Sequence, residues 1–415
     1  MHQSVSLLIT LSSHRMHLVP HNSNRSRRLC RRGVGTLLFM VFLAIFVMLL
    51  MLVVNYTYLA YSQLRTGDVT ASLARIAVTE LLDEGRLQAT PTASPAAQVT
   101  AAIAAVQHYN HKFNATAGTD QQLRFDPNGS SQDNDILVAA GRIDNVTLSV
   151  TDTGAGSTFR SPAGDEPFNT LKVEAARTRN GSNPLYLLVR AAFTPQAADI
   201  GTTSFATLDS RLLGFRPTLE LSTPIVPIAI QANAWPVWTD VGGIAARHDF
   251  VGRLRADGSG NLALINFDQT ASPNVAEIAD QIELGTFPTH INVTGSDYLG
   301  PLAEGVESQT FAGDVLAPAN GSQIASTLEL VADSNNPRRI FPLYDSFTQD
   351  EARVVGFVSA TVLGATWAGS NLTIELEPEF LLHPTAVTAP EYAVGMNDPV
   401  SVPENVYIHK LRLSR

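Results

Sequence analysis

The stretch Val34–Val54, VGTLLFMVFLAIFVMLLMLVV, decides the architecture of this 415-residue chain. None of its 21 residues has a charged or amide side chain, and 15 of them are Leu, Ile, Phe or Val. As a helix it would be about 31 Å long, which matches the hydrocarbon core of a bilayer. Insertion scales assign these residues roughly −5 to −9 kcal/mol in total. The sequence therefore predicts one transmembrane helix rather than a buried helix of a soluble protein.

Flanking charges and aromatic residues predict how this helix is oriented. Five arginines precede it closely, at positions 25, 27, 28, 31 and 32, and the first acidic residue is Asp68. Basic residues hold the adjacent end of a span in the cytoplasm, and tyrosines such as Tyr56, Tyr58 and Tyr61 favour the opposite membrane–water boundary. We therefore predict a protein of the inner (cytoplasmic) membrane with a cytoplasmic N-terminus and an extracytoplasmic C-terminal bulk.

A cleaved signal peptide is the alternative interpretation of the same segment. The apolar region of a signal peptide has about 7–15 residues and is followed by a small-x-small cleavage site. Here the apolar run is longer and continues into Asn55-Tyr-Thr-Tyr-Leu59. This pattern favours an uncleaved anchor.

Composition restricts the classes of partner. Residues after Val54 hold 22 of the 28 basic residues and all 38 acidic ones, a formal charge of −16. Such a charge repels phosphate backbones, so we expect no nucleic-acid partner. The only cysteine is Cys30, before the apolar run, so no internal disulfide can form.

The pattern after the span predicts an α+β protein: a single N-terminal transmembrane helix with a helical extension, followed by a β-rich ectodomain with a few helices. Five segments are predicted: a basic cytoplasmic tail (1–32), the span and its extracytoplasmic extension (33–86), an α+β domain (95–210), a second β-rich domain (211–390) and an extended C-terminal tail (391–415). Within the extension, Gly67-Asp68 predicts a kink or a new N-cap, and Gly85 a helix stop. Ser94 and Pro95 are typical of the start of a helix, which should run to about Lys112.

Alternation and β-branched residues predict the strands. Strands are predicted at Ile136–Ala139, Asn145–Thr151, Leu171–Thr178, Gly201–Leu208, Thr218–Leu221, Val226–Ala232, Gly260–Phe267, Arg353–Leu363 and Leu372–Pro378. Residues Pro184–Phe193 could be a strand or a short helix. Helices are predicted at Pro273–Leu284 and at about Ser322–Ala332.

No segment carries a recognisable catalytic, cofactor-binding or metal-binding motif. His108 and His111 are spaced one helical turn apart, but no acidic residue lies near them in the sequence. Asp257–Asn261 and Asp333–Pro337 are typical of turns, because they lack the alternate carboxylates of a calcium loop. Trp235-Pro-Val-Trp238 is interpreted as the closure of a core edge, with an exposed binding ridge as the alternative. We therefore predict no catalytic residue, no cofactor and no metal ligand.

Three groups of segments span most of residues 31–380. They are Arg31-Arg-Gly-Val34, Tyr58-Leu-Ala-Tyr-Ser-Gln-Leu-Arg65 and Asp68-Val-Thr-Ala71; then Leu171–Thr178, Pro184–Leu188 and Gly201–Ala206; then Pro224–Ile230, Ala279–Gly285 and Phe341–Tyr344. Together they resemble the TadE/TadG-like family of Flp pilus-assembly proteins. The first group is similar to the N-terminal region of that family, and the other two are similar to the helix-then-strands layout and the C-terminal extension of TadG-like members.

The resemblance implies a structural or assembly role, with a minor pseudopilin-like or scaffold function in a Tad/Flp-type pilus or secretion apparatus. Two departures limit what it implies. Prepilin-type processing calls for a glutamate five residues after the cleaved glycine, and after Gly33 that position holds Leu38. The Asp-x-Ser-x-Ser metal site of some members is absent from the sequence.

The expected partners are the lipid bilayer and other pilus-assembly or secretion-system proteins. Homo- or hetero-oligomers through the N-terminal helix are also compatible with this interpretation. Two rival hypotheses are an anchored ligand-binding or sensory domain and a tethered carboxylate-dependent hydrolase, which needs two carboxyl groups about 5–9.5 Å apart. We predict that the protein is not an enzyme.

Overall fold

The structure is a computed structural model in which one long apolar helix leads into a β-rich α+β part. It describes residues 28–82, 95–117, 122–128, 134–143, 159–163, 166–180, 183–189, 196–235, 250–255, 260–267, 275–291, 299, 310–314, 318–347, 351–388 and 405–414. Predictions for Asn145–Thr151, Gly85, Asp257 and Trp238 lie outside the described residues.

Helices form where the sequence has no proline after the first helical position and is rich in Leu, Ala and other helix formers. The helices are α1 (Arg28–Ala77), α2 (Pro95–Thr116), α3 (Val275–Leu284) and α4 (Pro318–Ala332). The helix α1 runs without interruption through Gly67, so the predicted new N-cap at Gly67-Asp68 is wrong. Gly67 is buried, and the helix continues to Ala77 before one 3-10 turn at Val78–Leu81.

Strands account for most of the remaining described chain. They are β1 (Ile136–Gly141), β2 (Thr170–Arg177), β3 (Leu185–Tyr186), β4 (Ala197–Ala198), β5 (Ile200–Asp209), β6 (Leu212–Phe215), β7 (Ile228–Gln231), β8 (Phe250–Arg255), β9 (Leu262–Asn266), β10 (Thr310–Asp314), β11 (Arg338–Phe347), β12 (Glu351–Ala368), β13 (Asn371–Pro378), β14 (Leu381–Leu382), β15 (Ala386–Thr388) and β16 (Ile408–Ser414).

The first sheet has the strand order β1-β2-β5-β16-β14. Its pairs are antiparallel except for β14 with β16, which are parallel. The second half of α1, the 3-10 turn and α2 pack on this sheet, and their apolar side chains form one core. The fully buried members include Leu73, Leu81, Val106, Ile136, Leu171, Val173 and Leu208.

The second sheet has the order β10-β9-β7-β11-β12-β13-β8, and β10 also pairs with β12. These pairings close five strands, β9, β7, β11, β12 and β10, into a ring. One core includes residues of α3 and α4, such as Ile282 and Leu328. A separate core is centred on Phe215, Ile265 and Phe357.

The side chain of Arg339, a residue of β11, caps the C-terminal end of α3 and thereby connects the helix to the strand. Its guanidinium, which is buried, donates hydrogen bonds to the carbonyls of Ile282 at 2.7 Å and Glu283 at 3.0 Å. These carbonyls belong to the last turn of α3 and have no partner within the helix. Burial lowers the pKa of the Arg339 guanidinium below its usual value, while the nearby Glu283 carboxylate opposes this change.

Two sequence predictions differ from the structure in this part. The strand predicted at Thr218–Leu221 is wrong: these residues form a bend in which Leu221 N donates to Thr218 O, and Leu219 and Glu220 are exposed. Residues 408–414 of the predicted tail form β16, which pairs with β5 from Asp209 to Phe205. The chain end thus belongs to the first sheet.

Candidate functional site

The first half of α1 is the most distinctive surface of the described chain. Residues 35–54 are exposed, apart from the half-buried Met51, although nearly all of them are apolar. A continuous apolar surface of this kind marks an interaction site, because soluble proteins rarely leave one open to water. By length and composition this helix could cross a membrane, and a signal sequence near the N-terminus has the same properties.

Asn55, the first residue after the apolar run, is also the first buried residue of α1 after the exposed positions 35–54. The side chain of Asn55 is buried, and its amide nitrogen donates to the carbonyl of Val189 at 2.9 Å. In return the backbone N–H of Val189 donates to Asn55 Oδ1 at 3.0 Å. The amide thus pairs with both polar groups of one backbone position that is 134 residues distant. This pair marks the boundary at which α1 meets the rest of the fold.

Farther along α1, toward its C-terminal end, the helix is held by hydroxyl groups of β5. Thr70 Oγ1 lies 2.9 Å from Thr202 Oγ1 and 3.1 Å from Ser204 Oγ. It also donates toward carbonyls of its own helix, at Thr66 and Gly67. Thr70 is about 22 Å along the helix from Asn55. Two separated attachments and the shared core therefore fix the direction of α1 relative to the first sheet.

The Asn55 amide pair gives a direct mutational prediction. Asn55→Ala removes both hydrogen bonds between this side chain and the backbone of Val189, so we expect a loss of about 1–3 kcal/mol in local stability. Amide hydrogen exchange of the segment 185–189 should become faster in the variant. Asn371→Ala, at an exposed position on β13, is the matched control and should leave that segment unchanged. Equal exchange in the Asn55→Ala and parent proteins would contradict this assignment.

The pair His108 and His111 lies on the exposed face of α2, at an open cavity of about 660 Å³. Asp126 also lines this cavity. The sequence did not indicate that Asp126 lies near the histidines, because it comes ten residues after the end of α2. Even so, no group of three or more His, Cys, Asp or Glu side chains in the described part of the chain could hold a metal ion.

The remaining motifs have structural roles where they are described. Asp333–Pro337 forms the turn between α4 and β11, as predicted. Asn261 Oδ1 accepts from Arg253 N at 2.6 Å and thereby ties β9 to β8. Trp235 is buried, with its ring against Phe250, and donates to Tyr407 Oη at 2.9 Å. For Trp235 this agrees with the interpretation as the closure of a core edge, and the other three residues of the motif lie outside the described residues.

The half-buried His383 can make the fold pH-sensitive. His383 Nδ1 lies 2.7 Å from Thr385 Oγ1, which in turn lies 2.7 Å from Thr223 Oγ1. Burial lowers the pKa of His383 from 6.5 to about 4. The hydrogen-bond partners of His383 among the described residues include no carboxylate that would stabilise a protonated imidazole, so the neutral form fits this position.

We expect this histidine to destabilise the protein in mild acid. The unfolded chain takes up a proton below pH 6.5, whereas the folded chain does so only near pH 4. The stability that His383 contributes is therefore present above about pH 6.5 and is lost as the pH falls toward 4. Between pH 7 and pH 5 the parent protein should lose about 1–2 kcal/mol more unfolding free energy than His383→Gln. Urea unfolding followed by tryptophan fluorescence measures this difference, and parallel losses in both proteins would refute it.

Comparison of the chain with protein-family models, curated proteins and solved structures finds no match.

Proposed function

We propose that this protein is a membrane-anchored structural component, in which the first half of α1 spans the inner membrane and the second half is built into an extracytoplasmic domain. We further propose that it serves as a minor pseudopilin-like or scaffold subunit of a Tad/Flp-type pilus or secretion apparatus. The first proposal is supported by the exposure of residues 35–54. The second is supported by the resemblance of the sequence segments to TadE/TadG-like proteins.

The observation that carries the proposal is the continuity of α1 across Asn55. Cleavage of a signal peptide would occur after the apolar run, near the residues that follow Val54. Those residues belong to the same uninterrupted helix, and Asn55 already pairs with Val189. Removal of the apolar half would therefore cut a helix that packs in the domain. This geometry favours an anchor over a cleaved signal sequence.

Such a continuous helix suits a scaffold role for a mechanical reason. A flexible linker would let the domain turn freely above the membrane. Here α1 enters the domain as a helix and is held at Asn55 and Thr70, so the domain and the span should move as one body. A subunit of this kind can place its sheet and loops at a defined height and angle relative to neighbouring membrane proteins. The span can then pack laterally against other helices.

Co-isolation of the full-length protein from its native membranes tests the function. The protein should be solubilised in mild detergent after chemical cross-linking, and its covalent partners identified by mass spectrometry. We expect pilus ATPase, platform or pilin subunits among them. A matched control is the parent protein isolated without cross-linker. Recovery of the protein without such subunits, but with a bound small molecule, would favour the sensory alternative and refute the assembly role.

A further inference from the structure

We infer that the segment from Leu185 to Val189 forms a second, shallow contact with the same membrane, through the side chains of Tyr186 and Leu188. The partner is the headgroup region of the lipid bilayer. This inference rests on the proposed membrane anchoring by α1. It adds a lipid-facing surface on the domain itself, which no motif in the sequence indicates.

The first argument is position along α1. Arg177 lines a small cavity together with Ser62, Arg65 and Thr66 of the helix, and its guanidinium donates to the carbonyl of Pro184. Val189, which is five residues after Pro184, forms hydrogen bonds with Asn55. Arg65 and Asn55 are about 15 Å apart along the helix. Five residues of chain reach at most about 17 Å, so this segment is long enough to link the two levels of the helix. With contacts to α1 at both of its ends, the segment leads from the domain toward the apolar half.

The second argument is the distance from the proposed hydrocarbon edge. The run Val34–Val54 is about as long as the hydrocarbon core is thick, so Asn55 should lie at its boundary. Val189 is hydrogen-bonded to Asn55, and Leu188 is its neighbour, about 3.8 Å away between Cα atoms. The backbone of Leu188 therefore lies within about one helical turn of the boundary, where headgroups begin.

The third argument is the alternation of side chains. Leu185 and Leu187 point into the domain and are buried, whereas Tyr186 is 49% exposed and Leu188 is 62% exposed. Alternate residues of a strand share one face, and the alternation of burial continues past β3 to Leu188. Tyr186 and Leu188 thus form the outer face of this segment. Tyr56, which follows Asn55 on α1, is 70% exposed. Tyrosine rings at this depth suit the membrane interface.

These arguments favour lipid over a protein partner. The exposed side chain of Leu188 is next in sequence to Val189, which is hydrogen-bonded to Asn55 at the end of the apolar surface of α1. If that surface is in lipid, a partner protein would have to displace headgroups in order to reach Leu188. A lipid contact would also oppose tilting of the domain, because a second point at the same level as Asn55 would touch the membrane.

Nitroxide depth measurements on the full-length protein in liposomes test this inference. Cys30→Ser supplies a background without native thiols, and single labels are placed by Leu188→Cys and Tyr186→Cys. Leu43→Cys, in the middle of the apolar half, is the reference for the hydrocarbon core. Leu330→Cys, on the 64% exposed side chain in α4, is the reference for water. The quantity measured is the relative collision rate of each label with oxygen, which partitions into lipid, and with a water-soluble nickel chelate.

We expect both segment labels to give values between the two references, with several-fold less nickel contact than the label at position 330. Values at 186 and 188 equal to that at 330, with a deep label at 43, would overturn this inference and leave the membrane anchor in place. A label at 43 that behaves as in water would overturn both. The two segment labels lie on the outer face, and agreement between them guards against a local distortion at one position.

Discussion

The double variant Leu43→Arg and Phe46→Arg should detach the protein from the membrane. Both residues lie near the middle of the apolar half of α1 and are exposed. An arginine at the centre of a span costs about 2.5–3.5 kcal/mol, and each replaced residue also loses its own favourable contribution. Two changes therefore remove roughly 6–8 kcal/mol, which is comparable to the whole insertion free energy estimated for Val34–Val54. We expect most of the variant to leave the membranes during an alkaline carbonate wash.

The matched control is Leu219→Arg with Leu330→Arg. Both leucines are strongly exposed, at 77% and 64%, and lie outside α1. This pair adds the same charge without touching the apolar half, so it should stay with the membrane like the parent. Retention of the Leu43→Arg and Phe46→Arg protein to the same extent as the control would show that α1 is not the anchor.

Asp209→Ala should cause a large loss of folding stability. The carboxylate of Asp209 is almost completely buried and lies 3.1 Å from Arg211 Nε and 3.1 Å from Arg412 Nε. Arg412 also donates to Thr388 Oγ1. The cluster therefore ties β5 to β16 and β15. Removing one partner of a buried ion pair leaves the other charge uncompensated and costs about 3–5 kcal/mol. Urea unfolding of the full-length protein in detergent micelles measures this loss.

The exposed ion pair of Asp345 and Arg353 supplies the control. Exposed pairs contribute about 0–1 kcal/mol, so Asp345→Ala should change the unfolding free energy by no more than that. Similar losses in the two variants would mean that the Asp209 cluster does not join the strands as described.

The sequence predicted the elements whose signal is local. The apolar run specifies the exposed half of α1 by composition alone, and Pro95 indicates the start of α2. Alternation placed β2, β5 and β13 to within about two residues. In each of these cases neighbouring residues carry the information, because helix and strand periods are properties of a short window.

The features that the sequence did not predict depend on contacts between residues that are far apart in the chain. Asn55 appeared only as the end of the apolar run, because nothing near it in the sequence points to Val189. The strand β11 was missed since it begins with two arginines and contains Pro342, which argues against a central strand. In the structure β11 pairs with β7 only at Leu343 and Tyr344, so Pro342 is outside that ladder. The lipid-facing segment near Leu188 has no local signal either, because its depth follows from the long-range contact.

Thiol labelling of intact spheroplasts tests the central claim most directly, because the chain has a single native cysteine. Two proteins are compared with a membrane-impermeant maleimide: the parent, which carries only Cys30, and the Cys30→Ser, Leu330→Cys variant. The account predicts that Leu330→Cys is labelled at once, whereas Cys30 is labelled only after the membrane is opened. Labelling of Cys30 from outside, or protection of Leu330→Cys until lysis, would contradict it.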